Sequence, residues 1–191
     1  MRWGEHWRIS KDCLEPRKSL VYQLGSILPD WFNRHPVHRW NDTKDLFLER
    51  AYRVRKMEEG LIKNWNLGVL SHFVCDYCCM AHNEAYYELY KHRVYEVNSQ
   101  KLYKELRLSS NENKNRWMHY EVKYNSSELK KSKSEEDFKR DMSLMIEFYL
   151  NELHTRINNL GSEKWYKDDR IMELDIKYSY ALLNRFIEIV I

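Results

Sequence analysis

Residues that break a helix are scarce in this chain. Its 191 residues include five Gly and three Pro, too few for a sandwich or barrel that must turn every ~8–12 residues. Cysteine is sparse as well: four in all, three of them between positions 75 and 79, make a poor disulfide framework and fit a reducing compartment. Charge of one sign is lacking. The 32 Lys and Arg are nearly matched by 29 Asp and Glu, a net +3, without the basic excess of proteins that bind by neutralising phosphates. No stretch approaches the roughly 18 apolar residues of a membrane span. The opening MRWGEHWRIS has no apolar run of the kind a secretory leader needs. The expectation is a soluble cytoplasmic protein, secreted only if a leader was removed.

Aromatic residues are plentiful, with fourteen Tyr, seven Trp and six Phe, and most of the sequence reads as helix. Ser19 to Leu28 is a short apolar segment stopped by Pro29. Asn41, Asp42 and Thr43 offer N-caps for a helix reaching about Gly60, read as its C′ stop. Leu61 to about Cys79 is apolar on most sides and reads as a central buried helix. Glu84 to about Leu106 carries Tyr86, Leu89, Tyr90, Tyr95, Leu102 and Tyr103 at helical spacing. Ser109 to Asn115 and Tyr124 to Lys139 are polar and read as loop or poorly ordered connection. Two further helices are expected, about Glu135 to Asn159 and Lys164 to Val190. In the first, Phe138, Met142, Met145, Ile146, Tyr149, Leu150 and Leu153 form a core stripe. No repeat or second domain shows, so residues 1–191 read as one all-α, bundle-like domain.

The stretch SHFVCDYCCMAHN, Ser71 to Asn83, holds the chemistry-bearing residues at highest density. Cys75-x-x-Cys78 lacks the second pair that a structural zinc site needs. It also lacks the βαβ setting of a redox motif, so the three cysteines read as packing residues. His72 and Asp76 are four apart and project from one helix face, where they can grip one cation together. His82 joins them only if the helix ends near Cys79 or Met80. His92 and Glu96 repeat the four-residue spacing ten residues later. Two such pairs with a His between them suit zinc and resemble dinuclear sites of helix bundles. Asp30, His35, His38 and His6 add upstream candidates. His154, among charged residues, reads as solvated, and His119 as a surface or core histidine.

The run Leu67-Gly68-x-x-x-His72-x-x-x-Asp76-x-x-x-x-x-His82, with His92-x-x-x-Glu96 after it and Asp30 before it, resembles the bacterial zinc-dependent phospholipase C family. Fold relatives of that family include single-strand-specific nucleases with three zincs. The resemblance spans about the first hundred residues. It implies one zinc on Asp30, His38 (or His35), His72 and Asp76, and a second on His82, His92 and Glu96. A third would use Trp3, His6 and the bridging Asp76. Since Met1 and Arg2 precede Trp3, the family's α-amine ligand is missing unless they are trimmed, and two zincs are the expectation. The resemblance also implies Asp30 as catalytic general base and hydrolysis of a phospholipid at its head group, with peripheral contact at a membrane surface. Two other readings stay open: a single-strand nuclease-like phosphodiesterase, and a non-catalytic helical protein that metal stabilises.

Overall fold

The computed structural model describes residues 3–13, 20–29, 39–82, 88–109 and 134–191. Among them are seven α-helices, two 3-10 turns and no strand. The helices are α1 (Trp3–Cys13), α2 (Leu20–Gly25), α3 (Trp40–Lys56), α4 (Leu61–Tyr77), α5 (Leu89–Ser109), α6 (Glu135–Leu160) and α7 (Asp169–Val190). The turns are Met80–His82 and Trp165–Lys167.

The all-α expectation holds, and the deviations have local causes. Helix α1 had no counterpart in the sequence reading. Helix α3 starts earlier than expected, with extended Arg39 as its N-cap. The Thr43 hydroxyl, inside the first turn, donates to the Arg39 carbonyl at 2.8 Å and lies 2.8 Å from the Tyr77 hydroxyl. Gly60 is not a C′ stop. It is the N-cap of α4, while α3 ends three residues earlier at Met57. Only from Leu67 onward is α4 buried on most sides, for Leu61 and Ile62 stand exposed. Helix α5 begins at Leu89, and Tyr86 lies outside the described residues. Helix α6 begins at Glu135, where that helix was expected, and the overlapping loop reading as far as Lys139 does not hold. Ser134 caps the helix, its hydroxyl accepting from the Asp137 amide at 3.0 Å, and three acidic residues complement the helix dipole there. Gly161, at φ 59°, closes α6 in the left-handed conformation that glycine adopts without strain. The last predicted helix is interrupted, because Asp168 accepts from the Arg170 amide at 3.0 Å and restarts the chain as α7.

Helix α7 is the hub. It packs against α1, α3, α4, α5 and α6, and its apolar face runs Ile171, Met172, Ile176, Leu182, Leu183, Phe186. The predicted α6 stripe is buried in full. The tightest helix crossing is between α2 and α4. A Cβ on Gly68 would sit 2.1 Å from the Tyr22 carbonyl oxygen, and one on Gly25 would sit 2.5 Å from the Trp65 carbonyl. Two glycines therefore let the backbones touch, and the Tyr22 and Ser71 hydroxyls seal the crossing at 2.7 Å.

Candidate metal centre

That crossing builds the site. By bringing α2 against α4, it places the Ser26 carbonyl 3.0 Å from His72 Nδ1, one helical turn beyond Gly68. A carbonyl only accepts, so Nδ1 carries the proton. Neutral His72 then has a lone pair on Nε2, which lies 3.2 Å from Asp76 Oδ2. Two acceptors facing each other at this range require a cation or an additional proton between them. An imidazole oriented by a backbone carbonyl is the usual preparation of a metal ligand.

Helix α1 supplies the third member. His6 Nε2 lies 3.1 Å from Asp76 Oδ1, so the carboxylate faces one histidine with each oxygen. The His6 and His72 rings are 4.2 Å apart. All three residues are buried, none exposed above 1 %. Burial, reinforced by neighbouring His72, lowers the His6 pKa below its ordinary 6.5, although Asp76 opposes the shift. His6 is thus held as the neutral imidazole a metal needs. Burial pushes the Asp76 carboxyl the other way, but His82, His72 and His6 outweigh it and hold Asp76 well below the usual carboxylate range.

The second group forms because α4 stops where it does. Its C-cap is Cys78, and the chain tightens into the 3-10 turn Met80–His82, as His82 required in order to join. His82 and His92 stack with centroids 5.0 Å apart, and His92 Nε2 lies 3.8 Å from Glu96 Oε1 on α5. His82 Nδ1 lies 3.7 Å from Asp76 Oδ2, so Asp76 adjoins both groups. In each group of three, one donor atom per residue lies within 4.8 Å of the others. Imidazole and carboxylate in this mixture suit zinc.

Of the other predicted residues, Trp3 begins α1 and its side chain is not among those described. Asp30, His35, His38 and His119 lie outside the described residues. Cys75, Cys78 and Cys79 are core residues, buried to 2 % exposure or less. Burial raises the Cys78 thiol far above its ordinary value and pushes Cys79 up to about 12. Protonated thiols are neither nucleophiles nor ligands.

Sequence reasoning missed the cavity beside the site. About 300 Å³ in volume, it reaches Asp76, Tyr77 and His82 from between the start of α3 and the middle of α6. Arg39, Trp40 and Asn41 line one wall, and Glu147, Asn151 and His154 the other. His154 is therefore not a solvated surface residue but half-buried on the cavity wall, where burial lowers its pKa. Glu147 is held ionised below its usual range by the Lys44 ammonium at 2.6 Å, helped by the Ser143 hydroxyl at 2.9 Å. The signal in the sequence was faint: Glu147, Asn151 and His154 are polar residues at helical spacing beside the apolar α6 stripe.

The family described as zinc dependent phospholipase C matches residues 10–156, more than half of the chain. The protein belongs to that family. Of the two donor groups, only His6 falls outside the matched span. No curated protein and no solved structure gives a significant match. No described helix of this family member is long and apolar enough to cross a membrane.

Proposed function

We propose that this protein is a zinc-dependent phosphodiesterase of the phospholipase C type, hydrolysing a phospholipid at its head group. The observation that carries the reading is the position of Asp76, shared between two groups of metal donors and bordering a cavity at its edge. His6, His72 and Asp76 would hold one zinc, and His82, His92 and Glu96 another. Two ions are the expected count; the third, which the resemblance places on Trp3, His6 and Asp76 with a trimmed N-terminus, would have to share His6 with the first group, where its ring lies against His72. Zinc bound by such donors supplies Lewis acidity, lowering the pKa of a water towards neutrality and offsetting charge on phosphate oxygens.

The chain's own residues do the rest. The Ser26 carbonyl orients His72, and the low pKa of Asp76 keeps its charge available. Arg39, Asn41 and Asn151 offer donors to phosphate oxygens at the cavity wall. Its volume, at the low end for ligand pockets of ~300–1,000 Å³, suits a phosphorylated head group and leaves the acyl chains outside. Asp30 is proposed as the general base, and His38 (or His35) as a further ligand of the first group. What supports them is connectivity, since Ser26, four residues before Asp30, already lies against His72. A peripheral contact with the lipid surface and a cytoplasmic location, absent a leader, remain part of the proposal.

Incubating zinc-loaded protein with short-chain phosphatidylcholine should release phosphorylated head group, and single-stranded DNA should be cut far more slowly. Asp30→Asn should abolish turnover with zinc retained. The complete burial of the first group favours one other reading, a closed site whose metal only stabilises the fold. Full zinc occupancy with no hydrolysis of any phosphodiester would select it.

A further inference from the structure

A buried carboxyl group outside the two donor groups interrupts the apolar face of α7. Asp175 lies on the inward face of α7, between Met172 and Ile176, and is 1 % exposed. An aliphatic side chain there would continue the apolar stripe. A lone carboxylate in such surroundings is costly unless it is hydrogen-bonded. Its Oδ2 accepts from the Met80 amide at 2.6 Å and from the Tyr95 hydroxyl. Met80 opens the 3-10 turn that ends in His82. Tyr95 sits on α5 three residues after His92 and immediately before Glu96. One oxygen of α7 thus grips both segments that bear the second donor group.

We propose that Asp175 is a positioning residue for the His82–His92–Glu96 group, fixing the distance between the turn and α5 at which the three donors converge. The proposal rests on the reading of that group as a metal site. The turn has only three residues, and its backbone bonds are local: the His82 amide donates to the Cys79 carbonyl at 2.9 Å and the Cys79 amide to the Asp76 carbonyl at 3.0 Å. Those bonds shape the turn but do not set its place relative to α5. The Asp175 side chain does so through its two hydrogen bonds, one to each segment. Asp175 lies beyond residue 156, outside the span matched by the family.

The test is a cobalt(II) titration of the full chain after chelation. Visible absorption would report coordination, and competition with a chelator would report affinity. His92→Ala identifies the spectral component that belongs to the second group. Asp175→Asn should weaken that component about 10–100-fold, the usual effect of losing an outer-shell partner, and leave the other component unchanged. Tyr95→Phe deletes one of the two hydrogen bonds and keeps the carboxylate, so it should weaken the same component by a smaller factor. If Asp175→Asn does not fold, Tyr95→Phe decides alone. Unchanged affinity and spectrum in the folded variants would overturn the proposal. Equal weakening of both components would also overturn it, by making Asp175 a residue of general stability. A wild type with no component sensitive to His92→Ala overturns the metal reading of this group, and the proposal falls with it.

Discussion

The two donor groups use the same residue types but are built in different ways. His6, His72 and Asp76 lie inside the bundle, on two helices pressed together with α2, and are sealed from solvent. His82, His92 and Glu96 come from a short turn and the first half of α5; both histidines are buried, and Glu96 is partly exposed. The first group is positioned by packing, through the Gly25–Gly68 crossing and the Ser26 carbonyl. The second is positioned by hydrogen bonds reaching across from α7. On the proposed reading, a metal lost from the first group would disturb the core, whereas one lost from the second would leave the fold standing.

Substitutions can break or sharpen that contrast. The largest effect should come from Gly68→Ala. The added Cβ meets backbone carbonyl rather than a flexible side chain, so the cost falls at or above the upper end of the ~1–3 kcal/mol typical of overpacking. Urea unfolding of the chelated protein would measure it, and a change below about 1 kcal/mol would mean that the helices part easily. Next comes the paired comparison of His72→Ala with His92→Ala in chelated protein. The first leaves the Ser26 carbonyl without its donor and should cost about 2 kcal/mol. The second, whose neighbour Glu96 is partly exposed, should cost less than about 1 kcal/mol. Equal losses would erase the distinction between the groups.

A smaller effect is expected further along α7. The Tyr180 hydroxyl donates to Asp12 Oδ2 at 2.9 Å and lies 2.7 Å from the Tyr103 hydroxyl, tying α1, which bears His6, to α7. Tyr180→Phe should cost about 1 kcal/mol and leave the cobalt component of the second group untouched.

The smallest predicted effect is in the pH dependence of the chelated protein. His6 has a folded-state pKa below its ordinary 6.5, so the unfolded chain binds more protons as pH falls through that value, and stability drops. Asp76, held well below its ordinary 3.8, stabilises above that value, and its contribution is lost as pH falls further. Melting temperatures should decline gradually from pH 7 to 5 and faster below pH 4. His6→Gln should flatten the upper part of the curve and, by removing one of the three histidines that hold Asp76 low, soften the lower part as well.

Which parts of the site were legible in the sequence follows from how local each interaction is. His72, Asp76, His92 and Glu96 lie at one-turn spacing, and the helix end that brings in His82 could be read from the polar residues after it. Even so, Gly68 in the Leu67-Gly68 pair means little until α2 is seen against it. His6 was a candidate, but the helix carrying it was not anticipated, because its apolar pattern is weak and interrupted by charge. The cavity wall was invisible for a different reason. Glu147, Asn151 and His154 reach Asp76 and His82 only across the packed bundle, and on their own helix they look like any solvated face. Asp175 left one signal, a single carboxylate at a core register of α7, whose partners lie 80 and 95 residues away in the chain.

The most direct test of the central claim is zinc content by elemental analysis, on protein of known N-terminus, with and without His92→Ala. Wild-type protein should hold at least two zinc ions per chain and the variant one fewer, and the wild type alone should release phosphorylated head group. A fully folded wild-type protein that takes up no zinc would contradict that claim.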